Sequence, residues 1–377
     1  MSLPIVKEAL YTQEQYIVPK RPILKRRQKP KKKPKLNVRL IIFMTILGCL
    51  IANNFTKTFD KLVINQIKNS SIKIPQDFSD IEPANYDVAN DEFLGRKIVA
   101  PVEFNSKLLK KPNIKGEALR LKSRLENLIA QYPQLEAGIF IYDYQTGKTV
   151  GINQDKPFAT ASTIKLPILL QAFRKSEQGQ LSFNQNMRFT KDFLTGGSGH
   201  LQLRPLGGLY QLGYLATIMI RDSDNCATNM MLYNVGGSQD FNRAMRNWGF
   251  ANTHISTWLP DLFGTNVSTP KDMGTMLYNI DNPNFLSLQS TADIVQIMSH
   301  VKNRSLIQAG LPDGVHFIHK TGDIGEMLGD VGEVILPNGR RYIITMMVKR
   351  PWNAYSAKSF IVEASKITYN SISTNDL

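Results

Sequence analysis

From Ala118 onward the chain falls into segments of distinct hydrophobic period. Ala118, Leu119, Leu121, Leu125, Leu128 and Ile129 recur on one helical face, and Pro133 ends the run, which predicts a helix. Ala137-Gly138-Ile139-Phe140-Ile141-Tyr142-Asp143 predicts a strand, Gln145-Thr146-Gly147 a turn, and Lys148 to Ile152 the next strand. Residues from roughly 162 to 305 carry helical periodicity broken by Gly-rich loops such as Gly196-Gly197-Ser198-Gly199. Val315 to Lys320, Gly329 to Leu336 and Tyr342 to Val348 predict three further strands, with a Pro337-Asn338-Gly339 turn between the last two and a closing helix over about 355–371. Strands distant in sequence joining one antiparallel sheet, flanked by helices and with an all-helical subdomain inserted between them, define an α/β (α+β) layered domain over 115–377. Its cleft is expected where the insertion meets the sheet.

Upstream the pattern is different. Residues 1–39 hold twelve Lys and Arg against Glu8 and Glu14, a net +10, so only +5 of the chain's +15 belongs to the remaining 338 residues. The apolar run Leu40 to Ala52, extendable to Phe55, follows directly. A basic tail feeding an apolar run reads as a membrane orientation signal: a cytoplasmic tail (1–39), an uncleaved anchor in the lipid bilayer (40–55), and the remainder outside the plasma membrane. The run is short for a span, but a cleaved signal peptide fits less well, because the positive region is long and no small-x-small site follows. Ile46-Leu47-Gly48-Cys49 resembles a lipobox only loosely. Residues 56–114, weakly periodic and with scattered prolines, read as a stem. No zinc spacing or aromatic-basic motif supports nucleic-acid binding. The two cysteines, Cys49 and Cys226, build neither a disulfide framework nor a metal cluster, and no metal is expected. Cys226 reads as a small buried filler.

Three short motifs carry the chemistry. In Ser162-Thr163-Ile164-Lys165, residues three apart on a helix share a face, so the Ser hydroxyl and Lys amine can meet. Ser-x-x-Lys also occurs at Ser70, Ser268 and Ser299, but Ser162 alone opens a helix with an apolar face, Leu166, Ile168, Leu169 and Phe173, and Gly179 to end it. Ser223-Asp224-Asn225 lies between two apolar stretches, where a helix cap would serve equally well. Lys320-Thr321-Gly322 closes a strand, where its bland reading is a solvent-facing pair before a turn. The three together, in this order and on these elements, form the motif set of class A β-lactamases and penicillin-binding proteins.

From about 115 to 372 the chain resembles that superfamily, and most closely class A β-lactamases and the penicillin-binding protein A peptidases of cyanobacteria. Ala161 to Pro167, Asp222 to Asn229 and His319 to Asp323 carry the resemblance. It implies Ser162 as nucleophile, Lys165 as its base, Ser223 as proton relay and Lys320 as a cleft cation. Asn225, Thr321, Gly322 and Asp323 would bind substrate, and no cofactor is implied. One departure bears on the substrate. Thr257-Trp258-Leu259-Pro260-Asp261-Leu262 stands where class A β-lactamases carry the Glu that activates water, so Leu259 occupies the deacylation position and cannot accept a proton. Asp261 is two residues on, with a shorter reach. A second departure is that no Arg is evident near Gly329-Asp330 to bind a substrate carboxylate.

The resemblance therefore implies a serine D,D-peptidase acting on the D-Ala-D-Ala ends of peptidoglycan stem peptides and forming slowly hydrolysed adducts with β-lactam antibiotics. A β-lactamase with a different deacylating base and a non-catalytic β-lactam sensor are the alternatives. Against a sensor stand the intact motif set and the absence of a signalling domain in the 39-residue tail.

Overall fold

The computed structural model describes residues 109–377. The basic tail, the apolar run, Cys49, Ser70 and the stem up to residue 108 lie outside the described residues. Among the described residues, no helix is long and apolar enough to cross a membrane.

Every residue of β2 (Glu136–Asp143) after the first is buried. Its alternate side chains enter two different cores. Ile139 and Ile141 join a cluster with Leu121, Leu125, Phe360 and Ile361, while Phe140 and Tyr142 join one with Leu166, Leu169, Met273 and Leu277. A strand covered on both faces has no polar face to alternate with, which is why it reads as one continuous apolar run.

The other strands of this sheet are β1 (Gly116–Glu117), β3 (Lys148–Ile152), β8 (His316–Ile324), β9 (Met327–Ile335) and β10 (Arg341–Lys349). The spatial order is β1-β3-β2-β10-β9-β8. Only the β1–β3 pair is parallel. Helices α1 (Leu119–Ala130) and α8 (Ser356–Ser373) cover one face, burying Leu121, Leu125, Phe360 and Ile361. The other face receives the insertion between β3 and β8. Its helices are α2 (Lys165–Glu177), α3 (Leu212–Arg221), α4 (Asn225–Asn234), α5 (Gly237–Asn247), α6 (Pro270–Tyr278) and α7 (Leu288–Ser299).

Two sequence expectations need correction. The insertion is not all-helical: β4 (Phe158–Ala159) pairs with β7 (Val267–Ser268), and β5 (Asn186–Arg188) with β6 (Leu209–Gln211). Strands of two or three residues are too short to show a period of two. The strand expected to close at Lys320 instead runs on to Ile324, because β9 pairs with it throughout, Thr321 opposite Asp330 and Ile324 opposite Met327. Gly322, Gly325 and Gly329 lower the strand propensity there and hide the continuation.

One buried ion pair ties the insertion together. Arg174 and Glu177 on α2 are 3.0 Å apart and almost fully buried. Arg174 also donates to the Phe285 carbonyl, and the backbone N–H of Ser287, the cap of α7, donates to Glu177 at 2.6 Å. Removing the carboxylate strands a buried guanidinium and uncaps an N–H. Glu177→Ala is expected to lower the unfolding free energy by about 3–5 kcal/mol. Urea denaturation with an unchanged m-value measures this, and a loss below about 1 kcal/mol would contradict it.

Candidate active site

Thr160 fixes the start of the first motif. Its N–H and hydroxyl both donate to the carbonyl of Asn266, at 2.9 and 3.0 Å, and its own carbonyl accepts from the Thr163 hydroxyl at 2.7 Å. The chain then makes a 3-10 turn over Ala161–Ile164 and passes directly into α2 at Lys165. Ser162 thus sits on the turn that leads the helix rather than in its first α-helical turn. Gly322 of β8 lies against this turn, where an added Cβ would come within 2.6 Å of the Thr160 carbonyl. Only glycine lets the strand approach so closely.

The second motif follows α3. Ser223 has φ +57° and Ala161 has φ +46°; the other described non-glycine residues at positive φ are all asparagines. Each conformation costs about 1–3 kcal/mol, a kind of strain that collects at functional sites. Asp224 caps α4 by accepting from the Ala227 N–H at 2.9 Å, and it also accepts from the Leu201 N–H at 2.8 Å. Asn225, the first residue of α4, donates to the Gly196 carbonyl at 3.1 Å, while its N–H donates to Ser198 at 3.0 Å. The Gly196–Gly199 loop is therefore laid on the second motif. A Cβ at Gly199 would come within 2.4 Å of the Asp224 Cα.

These elements converge on two buried amines, both with no exposed surface. Lys165 Nζ is 2.9 Å from Ser162 Oγ, 2.6 Å from the Ser223 carbonyl, 3.1 Å from Ser223 Oγ and 2.9 Å from Asn225 Oδ1. Lys320 Nζ donates to Ser223 Oγ at 3.1 Å and to the Thr321 carbonyl at 2.9 Å. Burial, and then the positive charge of Lys320, hold Lys165 well below the usual lysine range. Burial lowers Lys320 as well, to about 7, while the charge of Asp330 works in the opposite direction.

Hydrogen-bond valence completes the picture. A neutral amine has two N–H groups and one lone pair. The Ser223 carbonyl and Asn225 Oδ1 can only accept, so they take both N–H groups of Lys165. The lone pair is then left facing a hydroxyl, with Ser162 Oγ the nearer of the two. Lys320, as an ammonium, spends two N–H groups on Ser223 and Thr321 and keeps a third for an anion.

The loop after α5 carries Leu259. Asn229, one turn along α4 from Asn225, holds both sides of this residue: it accepts from the Leu259 N–H at 3.0 Å and donates to the Leu259 carbonyl at 2.8 Å. Asp261 is committed elsewhere, accepting from the Thr265 hydroxyl at 3.0 Å and the Asn266 N–H at 2.6 Å. The loop is closed by Asn266, which accepts from the N–H groups of Ser256 and Thr257.

The structure thus brings Ser162, Lys165, Ser223, Asn225 and Lys320 together. Thr321 joins them only through its carbonyl. Asp323, half exposed, pairs with Arg350 instead. Burial pushes its carboxyl up and Arg350 pulls it partly back. Arg350 also donates to the carbonyls of Gly325 and Ile324, so it braces the β8–β9 turn from the end of β10. The other Ser-x-x-Lys serines are otherwise engaged. Ser268 Oγ meets the buried Thr253 hydroxyl at 2.8 Å, and Ser299 donates back to Val295. Cys226 is buried and takes the Thr195 N–H at 3.4 Å. The sequence shows the glycine loop and Asn229 but not their contacts with the site, and it gives no sign of Arg350. Gly-Gly-Ser-Gly ahead of Ser-Asp-Asn was a visible hint of a close backbone approach; the other two have no local signal.

A layered α/β domain with a Ser-Lys pair buried between sheet and insertion is the architecture of the serine β-lactamases and penicillin-binding proteins. The family model described as the Beta-lactamase enzyme family matches residues 120–372, and the chain belongs to that family. A solved structure of PBP-A superposes with a TM-score of 0.68 at 34% identity, covering 70% of this chain and all of the other. A leucine-to-glutamate mutant of PBP-A, solved as an acyl-enzyme complex with penicillin G, superposes equally well at 33% identity. Among curated proteins, a β-lactamase of Bacillus licheniformis is 27% identical over 276 residues, which is 70% of this chain and 88% of that protein.

Proposed function

We propose that this protein is a membrane-anchored serine D,D-peptidase that cleaves the terminal D-alanine from D-Ala-D-Ala stem peptides through an acyl-enzyme on Ser162. The observation that carries the reading is Leu259 at the deacylation position, with Asp261 already occupied by Thr265 and Asn266. An acyl-enzyme can form at such a site, but leucine cannot activate water, and Asp261, two residues on, already accepts from Thr265 and Asn266.

In this mechanism Ser162 Oγ attacks the carbonyl carbon of the penultimate D-alanine and gives its proton to the Lys165 lone pair. The oxyanion is held by the backbone N–H groups of Ser162 and Asp323. The proton passes from Lys165 through Ser223 Oγ to the nitrogen of the departing D-alanine, whose C–N bond breaks. Lys320 and the Thr321 hydroxyl hold the terminal carboxylate, and Asn225 orients the peptide amide. Water or a peptide amine then releases the acyl group. A β-lactam follows the same first step, but its opened ring stays attached and blocks the second.

The curated relatives carry β-lactamase names, which favours β-lactam hydrolysis as the second reading. Incubating the full-length protein with a peptide ending in D-Ala-D-Ala, and separately with benzylpenicillin, distinguishes the two. Release of D-alanine with slow penicillin turnover is expected. Rapid penicillin turnover with an untouched peptide would reverse the assignment.

A further inference from the structure

Asn225, Asn229 and Tyr233 follow one another at single-turn spacing and form one stripe along α4. Asn225 holds the glycine loop, and Asn229 holds the backbone of Leu259 on both sides. Tyr233 meets a third partner. Its ring packs edge-on against Phe193, with centroids 5.5 Å apart. Phe193 in turn stacks on Trp258, with centroids 5.9 Å apart and planes within 7° of parallel. Phe193 closes a 3-10 turn, Lys191–Phe193, just ahead of the glycine loop, and Trp258 is the residue before Leu259. Thr195, between Phe193 and that loop, is tied to α4 as well. Its N–H donates to Cys226 Sγ at 3.4 Å, and its carbonyl accepts from the same thiol at 3.2 Å. The Phe193–Trp258 stack thus joins the glycine loop to the loop that carries Leu259.

We propose that Phe193 is a positioning residue: through its stack on Trp258 it holds Leu259 down against α4 and so keeps water from the acyl-enzyme. The inference rests on the proposed acyl-enzyme at Ser162 and deepens it. Phe193 is buried and belongs to the same apolar cluster as Leu259, whereas Leu262 and Phe263 at the tip of the Leu259 loop are largely exposed. The far end of that loop is fitted against β4 and β8, where a Cβ on Gly264 would lie 2.8 Å from Ala159 Cβ and 3.5 Å from Ile324 Cδ1. At Leu259 itself the loop is held by Asn229 and, through Trp258, by Phe193. Leucine removes a base, but Lys165 still stands beside Ser162. Discharge then needs only a water molecule at the ester carbon, with one of its protons passed through Lys165 to the departing Ser162 Oγ. Shutting that water out is the remaining way to keep the adduct, and a closed loop does so. An aromatic stack favours the closed arrangement by about 2- to 10-fold.

The test is a pulse of benzylpenicillin on the full-length protein in detergent-containing buffer, with acylation rate and adduct lifetime read by intact mass. Phe193→Ala should shorten the lifetime by about 2- to 10-fold while the acylation rate stays within about twofold of wild type. Trp258→Ala should do the same, and the double variant should be no worse than either, because each removes one shared interaction. Phe193→Tyr and Trp258→Phe keep two stacked rings and should keep the wild-type lifetime. A lifetime shortened by less than about twofold in Phe193→Ala, whatever its melting temperature, would mark the ring as packing alone and overturn the proposal. Additive effects of the two alanines, or no rescue by Phe193→Tyr, would overturn it too. If Phe193→Ala fails to fold, Trp258→Ala, at an exposed position, decides by the same measure. A wild-type protein that forms no adduct, or sheds it at once, removes the proposed function and this inference with it. A long-lived wild-type adduct that the alanine variants leave unaltered removes this inference alone.

Discussion

Ser162→Ala is expected to abolish covalent labelling by benzylpenicillin, and Lys165→Ala to slow it by about 10³-fold or more while leaving the fold intact. The hydroxyl supplies the atom that bonds to the acyl carbon, so nothing replaces it. Lys165 supplies the lone pair, and loss of a positioned general base costs about 10²–10⁴-fold. The upper part of that range applies because, among the described residues, Lys165 is the side chain hydrogen-bonded to Ser162 Oγ, at 2.9 Å. The two side chains act as one unit, so the double variant should be scarcely worse than Ser162→Ala. Labelling rates read by intact mass, with thermal melts as the fold control, measure both effects. A Lys165→Ala protein acylating within tenfold of wild type would mean that another group accepts the proton.

Leu259→Glu should shorten the lifetime of the penicillin adduct by about 10- to 100-fold, toward the lower end of what a general base contributes. Asn229 fixes the Leu259 backbone to the same helix that presents Asn225 to Lys165, so a carboxylate introduced there starts from a defined place. The site is buried, which raises the pKa of a new carboxyl and makes it a better base near neutral pH. The acylation rate should change little. Adduct decay after removal of free drug is the readout, and an unchanged lifetime would show that water is excluded for another reason. Asp261→Asn should leave the lifetime alone, since both its oxygens already serve the loop.

How much of this was legible beforehand follows from the range of the interactions. Ser162-x-x-Lys165 is a local spacing, and three residues of helix suffice to bring its two ends within hydrogen-bond reach. The two-faced burial of β2 was legible too, as an unbroken apolar run. Arg350 was not: it reaches Asp323 across 27 positions, and nothing near Lys349-Arg350-Pro351 announces the partner. The same holds for Asn229, whose amide reads Leu259 from 30 residues away, and for Asn266, which holds both the nucleophile turn and the Leu259 loop. Around Asp330 the sequence shows only that no arginine stands there. The bond between Asp330 and His319 depends on the register of β8 against β9, and the continuation of β8 past Lys320 was hidden by its glycines.

The proposed function stands on an acyl-enzyme on Ser162 that water does not readily discharge. A short pulse of benzylpenicillin on the full-length protein, removal of free drug, and intact mass with peptide mapping over time test it in one experiment. A single adduct on the peptide containing Ser162, long-lived in wild type, is the result expected of a D,D-peptidase with leucine at the deacylation position. Rapid loss of the adduct with steady release of penicilloate, or an adduct mapped to any other residue, would contradict it.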